Sequence, residues 1–97
     1  MIAEIAVIPQ IAESGRTVIA DAVAEIEALG LRYEVGVSGT AVEGELAAIL
    51  EAVQAIERRL RADRVPRALI ELRLQLEPHP ETLEHQLEGM PMGGAAR

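Results

Sequence analysis

Apolar residues in this chain recur at two spacings, and the order in which those spacings alternate leaves few folds open. Met1 to Ile8 is apolar apart from Glu4, and Pro9 closes the run because proline has no N–H to give to a ladder. So apolar a run predicts a strand in the middle of a sheet, covered on both faces. Beyond the Ser14-Gly15-Arg16-Thr17 loop, Val18, Ala22, Val23, Ile26 and Leu29 return at helical spacing. Gly30 then stands where a left-handed C-terminal residue is expected. From Leu31 the period becomes two, with Leu31, Tyr33, Val35 and Val37 on one side and Arg32, Glu34, Gly36 and Ser38 on the other. Gly39 allows a bend, and Thr40 to Glu43 resumes as a short strand, so the pair predicts a hairpin.

The second helix carries Leu46, Ile49, Leu50, Val53, Ile56 and Leu60 as one stripe. Glu43 and Glu45 lead it and Arg58, Arg59 and Arg61 trail it, as the helix dipole favours. Asp63 to Pro66 ends it, and Arg67 to Leu76 alternates again as a strand with one core face. Pro78 and Pro80 break that strand, and residues 80–87 allow a short C-terminal helix with proline in its first position. The order β-α-β-β-α-β predicts an α+β, ferredoxin-like sandwich, with a four-stranded antiparallel sheet and two helices on one face. The division is a single domain over 1–88 and a disordered tail over 89–97. The other sheet face is left bare and carries Leu69, which predicts self-association into at least a dimer.

Composition narrows the chemistry. A chain of 97 residues has one domain's length and buries roughly two-thirds of its unfolded surface. The core must be aliphatic, because Tyr33 is the only aromatic residue. The formal charge of −7 argues against nucleic acid, which needs a basic surface. With no cysteine there is no disulfide frame, thiolate metal site or cysteine nucleophile, which fits the cytoplasm. The first ten residues lack the basic segment of a signal peptide, and no apolar run is long enough to span a membrane.

Catalytic motifs are missing. There is no phosphate-cradling G-x-x-x-x-G-K-[ST] or G-x-G-x-x-G loop, and no hydroxyl sits in a nucleophile elbow. His79 and His85 lie six apart with Glu81 and Glu84 between them, a spacing outside the i, i+4 register of helical metal sites. No metal, no cofactor and no enzymatic activity are expected. The arginines Arg58, Arg59, Arg61, Arg64 and Arg67 read as a solvated helix end. The richest stretch is Tyr33 to Glu45, with the one aromatic ring, Ser38, Thr40 and several carboxylates on one hairpin.

Three separated segments carry a resemblance: MIAEIAVIP at the start, LRYEVGVSGTAVEGE in the middle, and Val65, Arg67, Ala68 and Leu69 near the end. With the G-T-x-x-E-G core formed by Gly39, Thr40, Glu43 and Gly44, the chain resembles the small thiamine-binding protein family. That family is related to the thiamine- and hydroxymethylpyrimidine-binding domains of the YkoF type. The resemblance implies a ferredoxin-like fold, homodimers or homotetramers, no catalysis, and cytoplasmic binding of thiamine or its hydroxymethylpyrimidine moiety. The chain departs from the pattern at Glu57, where a histidine is common, and over residues 75–79.

Thiamine combines a cationic thiazolium with a flat aminopyrimidine, and calls for an apolar slot, hydroxyls and a carboxylate. The candidate ligand residues are therefore Tyr33 against a ring, Ser38 and Thr40 on the pyrimidine edge, and Glu43 near the cation or amino group. Tyr33 equally suits plain core, since it shares a strand face with Val35. The competing reading is a structural or regulatory interaction module that uses the open sheet face for oligomerisation.

Overall fold

The computed structural model describes residues 1–77 and Leu83. The elements run β1 (Ile2–Pro9), α1 (Arg16–Ala28), β2 (Arg32–Val35), β3 (Thr40–Glu43), α2 (Leu46–Ala62) and β4 (Ala68–Gln75). The strands form one sheet in the order β2-β3-β1-β4, with every neighbouring pair antiparallel. This is the α+β, ferredoxin-like arrangement that the alternating periods predict. The expected C-terminal helix, the 89–97 tail, His79 and His85 lie outside the described residues.

The eight residues of β1 are central, and both of its faces are covered as its composition predicts. Ala3 and Ile5 turn toward the helices, Ile2 and Ala6 turn outward, and all four are buried. On the helical side Ile5 and Val42 from the sheet meet Ala22 and Ile26 of α1 and Ala52, Ile56 and Leu60 of α2. Burying isoleucines such as Ile26 and Ile56 contributes about 1.5–3 kcal/mol each relative to leaving them in water.

The buried face of α2 is rotated from the stripe expected of it. Ile49, Ala52, Ala55, Ile56 and Leu60 are buried, while Leu46 and Leu50 stay exposed. Alanines at the contact let α1 approach closely, with Ala22 and Ala52 both in the core cluster, and this turns the bulkier leucines outward. A hydropathy stripe weights large side chains and so misses such a contact.

The hairpin is also shorter than its period suggests. Alternation continues through Ser38, but β2 stops at Val35, and the Gly36 N–H donates to the Gly39 carbonyl at 2.8 Å to close the loop. Val37, expected on the core side, is fully exposed at the loop tip. Gly39 lets this turn lie against β1, where a Cβ would crowd the Ile5 carbonyl, and the turn ends the strand.

The outer sheet face is not bare as the topology alone suggests. Leu83 is buried, and its N–H donates to Glu43 Oε1 at 2.9 Å. Glu43 alternates with the core residue Val42 and so stands on the outer side, in the same cross-strand row as Ile2. The chain therefore returns to this face after β4. Among the described residues, the exposed apolar ones left there are Ile8 and Leu69, which pair across β1 and β4.

Candidate functional site

A mismatch in strand length creates a cavity. β1 pairs with β4 along its full length, to Pro9↔Ala68, but pairs with β3 only as far as Ile5↔Thr40. Ala6, Val7 and Ile8 thus have no β3 ladder partner, and the loop of residues 36–39 stands beside the notch in place of a strand. A cavity of about 170 Å³ lies in this notch. Its walls are Ile5 to Ile8 of β1, Ile19, Ala22, Val23 and Ile26 of α1, Ile56 of α2, and Val35 to Thr40 of the hairpin.

The lining is nearly all aliphatic, and Ser38 and Thr40 supply its side-chain hydroxyls. Thr40 is 6% exposed, the one buried polar residue among those described. Its row on the sheet, Ile5↔Thr40↔Val35, is otherwise apolar. Among the described residues its hydroxyl has no hydrogen-bond partner. The hydroxyl is not sealed off, since no fully buried side-chain polar atom among the described residues lacks a partner, and it opens into the cavity where a ligand can bond to it. The Ser38 hydroxyl is committed elsewhere, donating to Glu4 Oε2 at 3.3 Å. Glu4 stands on the outer face, where its other oxygen accepts from Arg73 Nη1 at 2.9 Å. Gly39 packs directly on β1: a Cβ there would lie 3.0 Å from both the Ile5 carbonyl oxygen and Glu4 Cγ.

Of the four hairpin residues expected at a ligand, the fold brings two to the cavity, Ser38 and Thr40, and leaves two away from it. Tyr33 lies two residues further down the hairpin, where its hydroxyl donates to Glu27 Oε2 of α1 at 3.1 Å. That bond, then burial, then the charge of Glu27 raise the Tyr33 pKa above the ordinary tyrosine value. The ring is half-buried against the core cluster, the plain structural role that its strand face allows. Glu43 is removed by the strand pleat: residues 40 and 43 face opposite sides, and its carboxylate holds the Leu83 amide. Among the described residues no carboxylate lines the cavity.

Sequence reasoning did not pick out Val7, Ile8 and Ile19. Ile19 was legible as an isoleucine beside the stripe of α1, and it remains 41% exposed at the cavity. Val7 and Ile8 carried no signal, because the notch depends on where β3 ends.

The profile of the thiamine-binding protein family matches residues 3–89. The chain belongs to that family. Among solved structures it is similar to a candidate thiamine biosynthesis/salvage protein of Thermotoga maritima, at 30% identity and a TM-score of 0.81, covering 90% of this chain and 94% of that one. A hypothetical protein of Methanocaldococcus is 26% identical with a TM-score of 0.78, covering 96% of this chain and 95% of the other. A domain of unknown function from Bacillus cereus shares the fold at 24% identity and a TM-score of 0.75, over 86% of this chain and 82% of its own. No curated protein matches the chain. Among the described residues, no helix is long and apolar enough to cross a membrane.

Proposed function

We propose that this chain is a non-catalytic cytoplasmic binding protein for thiamine, and that the part it encloses is the hydroxymethylpyrimidine moiety. The observation that carries this reading is the unpartnered Thr40 hydroxyl in an aliphatic cavity, in a chain of the thiamine-binding family. At about 170 Å³ the cavity is smaller than the ~300–1,000 Å³ typical of sites that enclose whole drug-sized ligands. It suits one small-substituted six-membered ring. With no carboxylate among the described lining residues, the thiazolium cation stays at the mouth, beside exposed Val35 and Val37.

Calorimetry with thiamine and with free hydroxymethylpyrimidine tests this directly. Both should bind, with affinities within about tenfold of each other, because the enclosed ring is common to both. Thr40→Val, which keeps the shape and removes the hydroxyl, should weaken both by up to about tenfold, the worth of one neutral hydrogen bond. Absence of heat and of any thermal shift at millimolar ligand would reject the proposal. Assembly into a homodimer or homotetramer belongs to the same reading, and a single monomeric boundary in sedimentation at micromolar concentration removes that part.

The alternative of an interaction module on the outer face is less well supported. The face carries Arg32, Glu34, Glu4, Glu71 and Arg73, and among the described residues its exposed apolar ones are a single cross-strand pair, Ile8 and Leu69.

A further inference from the structure

The hydrogen-bond phase of β1 places a second recognition element in the cavity. Gly44 N–H donates to the Met1 carbonyl at 3.0 Å, and Gln10 N–H donates to the Arg67 carbonyl at 2.9 Å. In an antiparallel ladder, residues that exchange bonds with one neighbour alternate with residues that bond the other. Met1, Ile5 and the odd positions between them therefore bond toward β3, and Glu4, Ala6 and the other even positions bond toward β4. Val7 is odd, and the residue opposite it would be Ser38, but the β3 ladder ends at Ile5↔Thr40. The N–H and C=O of Val7 point into the notch, and among the described residues they have no partner. Val7 also lines the cavity.

From this we infer that the Val7 backbone reads the ligand's edge, taking a planar ring that carries a donor beside an acceptor in place of the missing β3 residue. The inference rests on the proposed binding of the aminopyrimidine in this cavity and specifies how it is recognised. An aminopyrimidine has the required edge: its exocyclic amino group donates to the Val7 carbonyl, and the adjacent ring nitrogen accepts from the Val7 N–H. Two parallel bonds of this kind fix the ring in the plane of the sheet, as a strand would be fixed. The aliphatic walls hold its faces, and Thr40 remains for a further polar group. Backbone recognition explains why the lining needs so few polar side chains. It also selects for the edge pattern itself, because an analogue lacking the amino group or the ring nitrogen leaves one Val7 group unpaired in an apolar site.

Amide hydrogen exchange read by NMR, with free hydroxymethylpyrimidine as the probe, tests the inference on the whole chain. In the free protein the Val7 amide should exchange at least tenfold faster than the amides of Ala6 and Ile8, which are bonded within the sheet. Saturating probe should slow Val7 at least tenfold. The matching calorimetric arm compares the probe with its deamino analogue and with the analogue whose ring nitrogen beside the amino group is replaced by carbon, each expected to bind at least tenfold more weakly. Protection of Val7 before any ligand is added overturns the inference, as does binding that leaves Val7 unprotected or that ignores both ring changes. Failure of the probe to bind removes the binding function along with it, whereas binding with an unaltered Val7 amide removes only the backbone reading.

Discussion

At the scale of single residues, side chains that look equivalent in a polar hairpin are sorted by the pleat. Thr40 and Val42 face the helices while Ala41 and Glu43 face outward, so a threonine and a glutamate three apart cannot serve one cavity on the same strand. That separation follows from period two alone and is legible in the sequence. The Tyr33–Glu27 bond is not, since it depends on where α1 ends relative to β2. It gives a prediction with a definite sign. The folded pKa of Tyr33 is raised above its ordinary value near 10, so the bond's contribution to stability is complete below that value. It is lost as pH rises through the folded pKa, when the phenol loses the proton it donates. Glu27→Gln should move the Tyr33 transition back toward the ordinary value. Because this is the only aromatic residue, the absorbance of its tyrosinate reports the transition without interference. Superimposable titration curves for the two proteins would contradict this account.

At the scale of elements, both helix ends show how local chemistry is read and where it is overridden. Gly30 takes φ +76° after α1, as its position predicts, and its N–H donates to Glu27 O at 2.9 Å. After α2 the same job falls to Arg64, the only described non-glycine residue with positive φ, at +56°. Its N–H donates to Arg61 O at 3.1 Å and the Val65 N–H donates to Leu60 O at 3.0 Å, which together satisfy carbonyls that the helix end leaves open. Nothing in the residue type marks this, because arginine is an ordinary member of a basic helix end. A side chain in the left-handed region costs roughly 1–2 kcal/mol that glycine avoids. Arg64→Gly should therefore stabilise the protein by about 1 kcal/mol in urea denaturation, the entropy of the added glycine offsetting part of the gain. A loss of stability would mean that the Arg64 side chain contributes more than its backbone costs. The boundaries of β2 and β3 make the same point for strands: alternation marks the hairpin, but the length of each strand, and with it the notch beside Val7, is set by the Gly36–Gly39 closure.

At the scale of the whole molecule, the fold has an inner core and an outer sheet face, and the two differ in how readable they were. The inner core follows from periodicity, because each apolar stripe has one large partner surface to meet. Closure of the outer face depends on a contact across 40 residues, where the Glu43 carboxylate holds the Leu83 amide, and neither residue announces it. Leu83 is 2% exposed, and Ile2, on the row to which Glu43 belongs, is 7% exposed although it faces away from both helices. The return of the chain at Leu83 thus belongs to the folded unit. Leu83→Ala should cost about 2–5 kcal/mol, as for other buried leucines. Glu43→Ala should cost about 1.5–3 kcal/mol through loss of a charged acceptor. Because the two groups share one contact, the double variant should lose less than the sum of the single variants by at least about 0.5 kcal/mol. Urea denaturation of the four proteins measures all three quantities. Strict additivity would mean that Leu83 is buried independently of Glu43. A stable Leu83→Ala protein would mean that the outer face holds together without it, adding Ile2 to the already exposed Ile8–Leu69 pair as surface available for association between copies.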